Sequence, residues 1–311
     1  RDGYQVASMD AAWRSSAFTA LSRMHFKVKD YAEAISYAQK ALKMGAENID
    51  ALQIQYIAGK ILNNESAIKS SQLALESIDP LNPFLNFESL WLNKTAEAEK
   101  LFLSSVKQEL RTEAFLELAI WYHSMQLQDR AIKVLEVAPQ NTETLYWLAF
   151  LNRENNTGKN WLNKAEQSSP EYVFPFREES QPIFEWASQS SKNWRSDYLQ
   201  ALLYRYRNQG EKALSLLSKN TSGSIDFAPY FAVRSELESK ANPSESIEDL
   251  ILASKLDPKE WRYGKLLSNQ YRIQKDYKKA LEIASKYYKS NPTNYILGMN
   301  YSRMLLLNKN Y

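Results

Sequence analysis

Apolar side chains recur at intervals of three and four residues along most of this 311-residue chain. The first run contains Phe18, Leu21 and His25, and a second run starts at Tyr31 and continues through Ala34. Each run is one face of an amphipathic helix, and the interruption between them marks a turn. The ten prolines fall between such runs or in a first helical turn, where proline is tolerated. The pattern predicts an all-α chain whose helices are roughly 11 to 15 residues long.

A small residue occupies the same place in successive helix pairs. The positions are Ala34, Ala67, Ala98 and Ala131, spaced 33, 31 and 33 apart, and Ala213, Ser246 and Ala280, spaced 33 and 34 apart. Two antiparallel helices approach closely only where small side chains lie at their crossing. A single pair cannot bury its apolar face, so neighbouring pairs must stack. The spacing therefore predicts about eight stacked helix pairs.

The clearest copy of the repeat lies near the end of the chain. It consists of Leu267, Ser268, Tyr271, Tyr277, Ala280, Ala284 and Pro292. This copy resembles the tetratricopeptide repeat, a helix–turn–helix unit of about 34 residues. The resemblance implies a right-handed α-α superhelix, or solenoid, in which the first helix of each pair lines a concave groove.

The repeat register divides the chain into three parts. Residues 1–170 hold about four to five units with a degenerate one at 81–110, residues 171–192 form an irregular helical insertion, and residues 193–311 hold further units that end in an unpaired helix. Ala131 and Ala213 are 82 positions apart, whereas two repeats need about 68. The surplus includes a short helix with Pro182 in its first turn. We expect this helix to be unpaired and to change the path of a single continuous solenoid.

The insertion also carries a more particular resemblance. Residues 169–177 read Ser-Pro-Glu-Tyr-Val-Phe-Pro-Phe-Arg, and residues 79–84, 145–149, 185–187 and 194–195 accompany them. These stretches are similar to one bacterial family of tetratricopeptide proteins that carry an N-terminal galactose-mutarotase-like domain of unknown function. The resemblance implies an upstream β-sandwich domain, and it assigns no catalytic residue to the repeat region.

Composition narrows the classes of function. Hydrophobic residues make up 44% of the chain and charged residues 24%, with a mean hydropathy of −0.52, values typical of a folded protein outside the membrane. The chain has no cysteine, which excludes disulfides and thiolate chemistry, and it has only two histidines. The sequence contains no run of about 18 apolar residues, the length that a helix needs to span a bilayer.

The two ends of the sequence suggest a fragment of a longer protein. The first residue is Arg1, and the last residues stop within the repeat pattern. No targeting segment is present at the start, which slightly favours a cytoplasmic location. The net charge of +3 points to no particular partner.

Few residues suggest catalysis. His25 occupies the consensus aromatic position and should pack inside its helix pair, whereas His123 should face the inner surface. Glu178 and Glu179 read as the acidic start of a helix, where they interact favourably with its dipole. The eight glycines form no phosphate-binding loop. The sequence therefore predicts a protein that is not an enzyme and that needs no cofactor or metal.

The predicted functional surface is the concave groove. In the repeat register its lining consists of Arg23, Tyr56, Tyr146, Phe150, Arg153, Tyr198, Arg205, Phe231, Arg262, Lys265, Asn269 and Arg272. Acidic residues are few at these positions, which favours an extended ligand that is anionic or rich in aromatic residues. The alternative is that the aromatic members pack against neighbouring repeats.

Two residues of this set, Lys265 and Asn269, form a more specific pattern with Asn300, a further candidate for the groove. They match in type and register the first three positions of a clamp with which some chaperone-binding tetratricopeptide domains hold a C-terminal carboxylate. A lysine supplies charge, and asparagine amides donate to carboxylate oxygens. The alternative is that all three are ordinary solvated polar residues.

Residues 259–311 hold 11 basic and 3 acidic side chains. Tyrosines lie among them, including Tyr263, Tyr271, Tyr287, Tyr288, Tyr295 and Tyr301, so single-stranded nucleic acid is a candidate ligand. A solvated basic face explains the same charges more simply, and nucleic-acid binding ranks below the other functions.

Two function hypotheses follow. The first is a non-catalytic protein–protein interaction scaffold that binds a peptide or a neighbouring domain, including the upstream domain of its own chain, in the groove. The alternative, which rests on the family resemblance, is an accessory helical region of a carbohydrate-binding or carbohydrate-active protein.

Overall fold

The computed structural model of the protein describes residues 2–10, 13–107, 110–220 and 225–309. Within these ranges every regular element is a helix, and no strand occurs. The predicted all-α fold of helical repeats is thereby confirmed. The described residues divide into two compact units, one that extends to Leu162 and is called unit 1, and one that follows it and is called unit 2.

Unit 1 contains ten helices and the first part of an eleventh. The helices are α1 (Asp2–Ala7), α2 (Arg14–Lys27), α3 (Tyr31–Met44), α4 (Ile49–Leu62), α5 (Glu65–Ile78), α6 (Pro83–Asn93), α7 (Ala96–Ser105), α8 (Arg111–Ser124), α9 (Gln128–Val137), α10 (Thr142–Leu151) and α11 (Asn156–Gln167). Successive helices of unit 1 pack in the pairs α2–α3, α4–α5, α6–α7 and α8–α9, so the first members of these pairs are even-numbered.

Unit 2 contains the end of α11 and eight further helices. A 3-10 turn (Glu178–Ser180) precedes α12 (Gln181–Ser190), α13 (Trp194–Tyr206), α14 (Gly210–Leu217), α15 (Ala228–Glu238), α16 (Pro243–Leu256), α17 (Trp261–Ile273), α18 (Tyr277–Ser290) and α19 (Tyr295–Leu307). Here the first helices of the pairs are the odd-numbered ones, α13, α15 and α17, and α19 follows in the same register.

Local sequence explains where the helices begin and end. The side chains of Asn48, Asn64 and Asn141 accept hydrogen bonds at 2.9–3.1 Å from the backbone amide three residues later. Such caps satisfy amides that have no partner inside the helix. At the other end, Asn63 and Lys94 adopt left-handed backbone conformations with φ of 54° and 52°. This conformation turns the chain out of the helix.

The small residues predicted at the helix crossings are buried. Ala34, Ala131 and Ala280 have no exposed surface. A hydrogen bond from the first helix recurs at this point: Ser22 Oγ donates to the carbonyl of Ala34 at 2.6 Å, and Ser268 Oγ donates to that of Ala280 at 2.9 Å. Small side chains bring the two helices close enough for a serine on one to reach the backbone of the other.

The degenerate repeat of unit 1 contains a buried polar network. Glu88, only 1% exposed, accepts hydrogen bonds from Tyr122 Oη at 2.8 Å and from Arg130 Nε at 2.9 Å. Burial raises the pKa of Glu88 despite the neighbouring arginine, and it raises the pKa of Tyr122 well above 10. The network joins α6 to α8 and α9.

The helix predicted at the insertion is present, with Pro182 in its first turn. α12 packs against α13, which is itself the first helix of the α13–α14 pair. Ser188 Oγ donates to Asp197 Oδ1 at 2.6 Å, and the Tyr204 hydroxyl lies 3.3 Å from Glu185 Oε1. The extra helix is thus attached to the first helix of the following pair, and the order of first and second helices shifts by one after it.

A cluster of charged side chains is buried between α15 and α16. Arg234 donates to both carboxylate oxygens of Asp249, at 2.6 and 2.8 Å. Glu238, 5% exposed, lies beside this pair. Burial, the charge of Asp249 and a hydrogen bond with Glu245 raise the pKa of Glu238 to about 7.

This raised pKa predicts a pH-dependent stability. The ordinary value is 4.5, so between pH 4.5 and about 7 the folded protein holds a proton that the unfolded chain has lost. The contribution of Glu238 is complete below pH 4.5 and disappears as the pH rises through about 7. Urea midpoints measured from pH 5 to pH 8 should fall less with pH in Glu238→Gln than in the wild type. Glu248→Gln, an exposed change on α16, should retain the wild-type slope, and equal slopes in all three proteins would contradict the prediction.

Candidate functional site

Four aromatic residues predicted to line the groove lie in the cores of the two units. Tyr146 and Phe231 are at most 1% exposed, Tyr198 is 3% exposed and Tyr56 is 5% exposed. Tyr56 contacts Phe84 edge-on at a centroid distance of 5.6 Å. Burial raises the pKa of Tyr56 to about 12 and that of Tyr198 well above 10. As the alternative interpretation had it, these side chains pack against neighbouring helices and are not available to a ligand.

Four arginines predicted in the groove have acidic neighbours in the same chain. The pairs are Arg23 with Asp50 at 2.5 Å, Arg153 with Glu154 at 3.4 Å, Arg205 with Glu236 at 2.8 Å, and Arg262 with Glu260 at 2.7 Å. These acids occupy positions that the repeat register did not assign to the groove. Arg272 and Phe150 are partly buried. An anionic ligand would therefore compete with the protein's own carboxylates at several of the predicted positions.

One of these pairs connects three first helices of unit 1. Asp50 accepts hydrogen bonds from Arg23 Nη2 on α2 at 2.5 Å and from Trp121 Nε1 on α8 at 2.7 Å. Arg23 Nη1 also lies 3.4 Å from Ser124 Oγ. We call the surface on which α2, α4 and α8 meet in this way the inner face of unit 1. Contacts between residues up to 101 positions apart leave no signal in a single sequence.

The clearest cleft built from predicted residues lies in unit 2, between α17 and α19. Lys265, Asn269 and Asn300 all line it, as their register predicts, and its volume is about 260 Å³. The remaining lining residues are Tyr295, Ile296, Met299 and Arg303. We call it the α17–α19 cleft.

Asn300 forms the floor of the α17–α19 cleft and is fixed in place. It is 7% exposed, and its Nδ2 donates to Ser268 Oγ at 3.2 Å. Ser268 in turn donates to the carbonyl of Ala280. The recurring serine at the helix crossing thus also holds a polar group at the base of the cleft. One amide hydrogen and the carbonyl oxygen of Asn300 are not used by this chain of hydrogen bonds.

Two cations flank this floor. Among the described residues, neither Lys265 nor Arg303 forms an ion pair, in contrast to the four paired arginines. Arg303 is not among the positions that the repeat register assigns to the groove, although it lies three positions after Asn300, on the same side of the helix. The rest of the lining on α19 is largely apolar, with Tyr295 76% exposed and Met299 54% exposed.

This arrangement can bind a carboxylate next to an apolar group. Lysine and arginine supply positive charge and donors, and an asparagine amide can donate to a second oxygen.

Within the part of the chain that the structure describes, no group of three or more metal-ligating side chains comes together. In the same residues, no helix combines the length and the apolar character needed to cross a bilayer.

The chain matches no protein-family model and no curated protein. Among solved structures, it is similar to residues 41 to the end of MamA from Desulfovibrio magneticus RS-1, with 16% identity and a TM-score of 0.36 over 60% of this chain and 98% of the other. It is also similar to TTC0263, a thermophilic TPR protein of Thermus thermophilus, with 19% identity and a TM-score of 0.36 over 62% of this chain and 98% of the other. A tetratricopeptide repeat protein from Parabacteroides merdae ATCC 43184 gives 15% identity and a TM-score of 0.30, over 83% and 84% of the two chains. These likenesses are too distant to assign a function.

Proposed function

We propose that this protein is a non-catalytic scaffold that binds an extended segment of another protein, and that the α17–α19 cleft of unit 2 holds an acidic group of that segment. The observation that carries the proposal is the presence of Lys265 and Arg303, two cations without an ion-pair partner among the described residues, on either side of a fixed asparagine. Unpaired charges on facing helices are free to form charge-assisted hydrogen bonds with a ligand.

The apolar wall of the cleft supports a peptide as the ligand. Tyr295, Ile296 and Met299 are each at least 43% exposed and follow one another along α19. An apolar side chain next to the bound carboxylate would cover them and add its own burial energy. A peptide with an acidic residue or terminus beside an aliphatic side chain offers both groups.

A display library of random heptapeptides with free C-termini tests the proposal. We expect selection on the wild-type protein to enrich peptides with an acidic residue or terminus next to an aliphatic one. Binding of the best peptide should weaken about tenfold or more in Lys265→Glu and in Arg303→Glu, because each change replaces a charge-assisted contact with a repulsive one. Fluorescence anisotropy of the labelled peptide measures the effect.

Lys289→Glu is the matched control. It makes the same change of charge on α18, the second helix of the pair that begins with α17, at an exposed position outside the cleft. Its affinity should remain close to that of the wild type at physiological salt. Equal loss of binding in all three variants, or selection of no peptide, would contradict the proposal.

A further inference from the structure

An open cavity follows α7, the second helix of the degenerate repeat in unit 1. Its volume is about 920 Å³, and its lining extends from Lys94, just before the helix, to Lys107, just after it. Arg111, the first residue of α8, closes the cavity at this second end, where its Nη2 donates to the carbonyl of Leu103 at 2.6 Å. We call this surface the α7 cavity. Its size is sufficient for a ligand as large as a short peptide.

The α7 cavity is strongly basic. Its lining gives a net charge of +3, because it contains one carboxylate, that of Glu99, and four cations, which belong to Lys94, Lys100, Lys107 and Arg111. All four cationic residues are exposed. Among the described residues, none of the four forms an ion pair. The folded chain therefore leaves these charges available to a ligand.

Helix dipoles offset one another at the two ends of the α7 cavity. At one end, Lys94 separates the carbonyl end of α6 from the amino end of α7. At the other end, the amino end of α8 lies close to the last turn of α7, because Arg111 reaches back to Leu103. Negative charge is favoured at amino ends and disfavoured at carbonyl ends. With both kinds of end present, the charges of the side chains decide which ligand the cavity attracts.

The cations are distributed along the α7 cavity and do not converge on one point. α7 contains ten residues, and Lys94 and Lys107 lie beyond its two ends. At 1.5 Å per residue, the helix holds the backbones of these two lysines about 15 Å or more apart. One phosphate or one carboxylate cannot contact both lysines, whereas an extended peptide covers the distance in about five residues. The spacing of the charges therefore favours an extended polyanion over a small anion.

The surface between the cations is aliphatic. It includes Ala96, Leu103 and Val106, of which Leu103 is partly buried and Val106 is 5% exposed. Among the described residues, no aromatic side chain lines the α7 cavity. Proteins that bind single-stranded nucleic acid stack the bases on aromatic rings. Aliphatic side chains of a peptide, in contrast, would be covered by this lining and gain burial energy. The lining therefore favours an acidic peptide over a nucleic acid.

We propose that the α7 cavity binds an extended acidic segment of a partner protein, in which several carboxylates alternate with aliphatic side chains. Charge complementarity supports this occupant, since lysine and arginine form charge-assisted hydrogen bonds with carboxylates. Arg111 uses one N–H for the carbonyl of Leu103, and its guanidinium has further donors for a ligand. The site belongs to unit 1 and does not depend on the function proposed for the α17–α19 cleft.

Fluorescence anisotropy with two labelled peptides tests this proposal. The first is an octapeptide with blocked ends in which glutamate alternates with alanine, and the second has glutamine in place of three of its four glutamates. We expect the first peptide to bind at least about tenfold more tightly, because it can contact several of the distributed cations at once. Equal affinities of the two peptides would contradict the proposal.

Single charge reversals locate the bound peptide. Lys100→Glu and Arg111→Glu should each weaken binding of the four-glutamate peptide about fivefold or more, because each replaces an attraction with a repulsion. Lys69→Glu is the matched control: Lys69 is exposed on α5, 31 positions before Lys100, at the equivalent place of the preceding helix pair and outside the α7 cavity. Its affinity should equal that of the wild type at physiological salt. Equal weakening in all three variants would indicate attraction by the net charge alone and would overturn the proposal.

Lys265→Glu separates this site from the α17–α19 cleft. Binding that persists in Lys265→Glu and weakens in Lys100→Glu supports the α7 cavity. The reverse result would place the acidic peptide in the α17–α19 cleft and would overturn the present proposal while leaving the proposed function intact. A single-stranded oligothymidylate is the last probe. If it binds more tightly than the four-glutamate peptide and is weakened by the same two substitutions, the ligand is a nucleic acid and the proposal of a peptide is wrong.

Discussion

Replacement of Arg234 by methionine is expected to lower the free energy of unfolding by about 3–5 kcal/mol. The Arg234 and Asp249 side chains are 11% and 4% exposed, and the guanidinium donates to both carboxylate oxygens. This hydrogen bonding raises the pKa of Arg234 further above its ordinary value. Methionine fills a similar volume but leaves the Asp249 carboxylate buried without its partner, and this uncompensated charge is the source of the cost.

Urea unfolding followed by circular dichroism measures this effect, with Arg262→Met as its control. Arg262 also pairs with an acid, Glu260 at 2.7 Å, but its side chain is 66% exposed. The control should change stability by no more than about 0.5 kcal/mol, because solvent screens an exposed ion pair. If Arg234→Met were as stable as the control, the buried pair would have no special role between α15 and α16.

The second large effect is expected at Gly264, in the first turn of α17. A Cβ atom at this position would overlap the ring of Tyr287, which is 5% exposed on α18. Gly264→Ala must therefore move either the ring or the helix. We expect a loss of about 1–3 kcal/mol, the usual cost of an overpacked core, although alanine is the better helix former.

Gly298→Ala is the matched control for this substitution. Gly298 lies inside α19, and an added Cβ would be 3.6 Å from Tyr288, an ordinary contact distance. Here the helix propensity of alanine should dominate and stabilise the protein by about 0.5–1 kcal/mol. Effects of the same sign in the two variants would show that the close approach of α17 and α18 is not what requires a glycine at position 264.

The location of the free charge distinguishes the α17–α19 cleft from the rest of the predicted groove. Arg205 and Arg262 carry the residue type expected for an anion-binding groove, but each has a carboxylate partner within 2.8 Å. Lys265 and Arg303, by contrast, have no carboxylate partner among the described residues. Charges that the folded protein has not already paired are available to a ligand, so Lys265 and Arg303 are better candidates than the paired arginines.

The sequence by itself determined the helical hairpin. The spacing of three and four residues between apolar positions specifies the helices, and the small residues at 34, 131 and 280 specify where the two members of a pair cross. Both signals are local, since the residues concerned lie within about 34 positions of one another. For the same reason, the register brought Lys265, Asn269 and Asn300 to one cleft, because first helices of adjacent pairs are neighbours.

Tertiary structure decided which predicted positions face a ligand. Tyr146 and Phe231 occupy groove positions in the register, but neighbouring helices cover them, and burial depends on those neighbours. Asp50 reaches Trp121 across 71 positions, and the same carboxylate neutralises Arg23. The periodic pattern describes one repeat and the next, whereas the charge that remains free on a surface depends on side chains several repeats away.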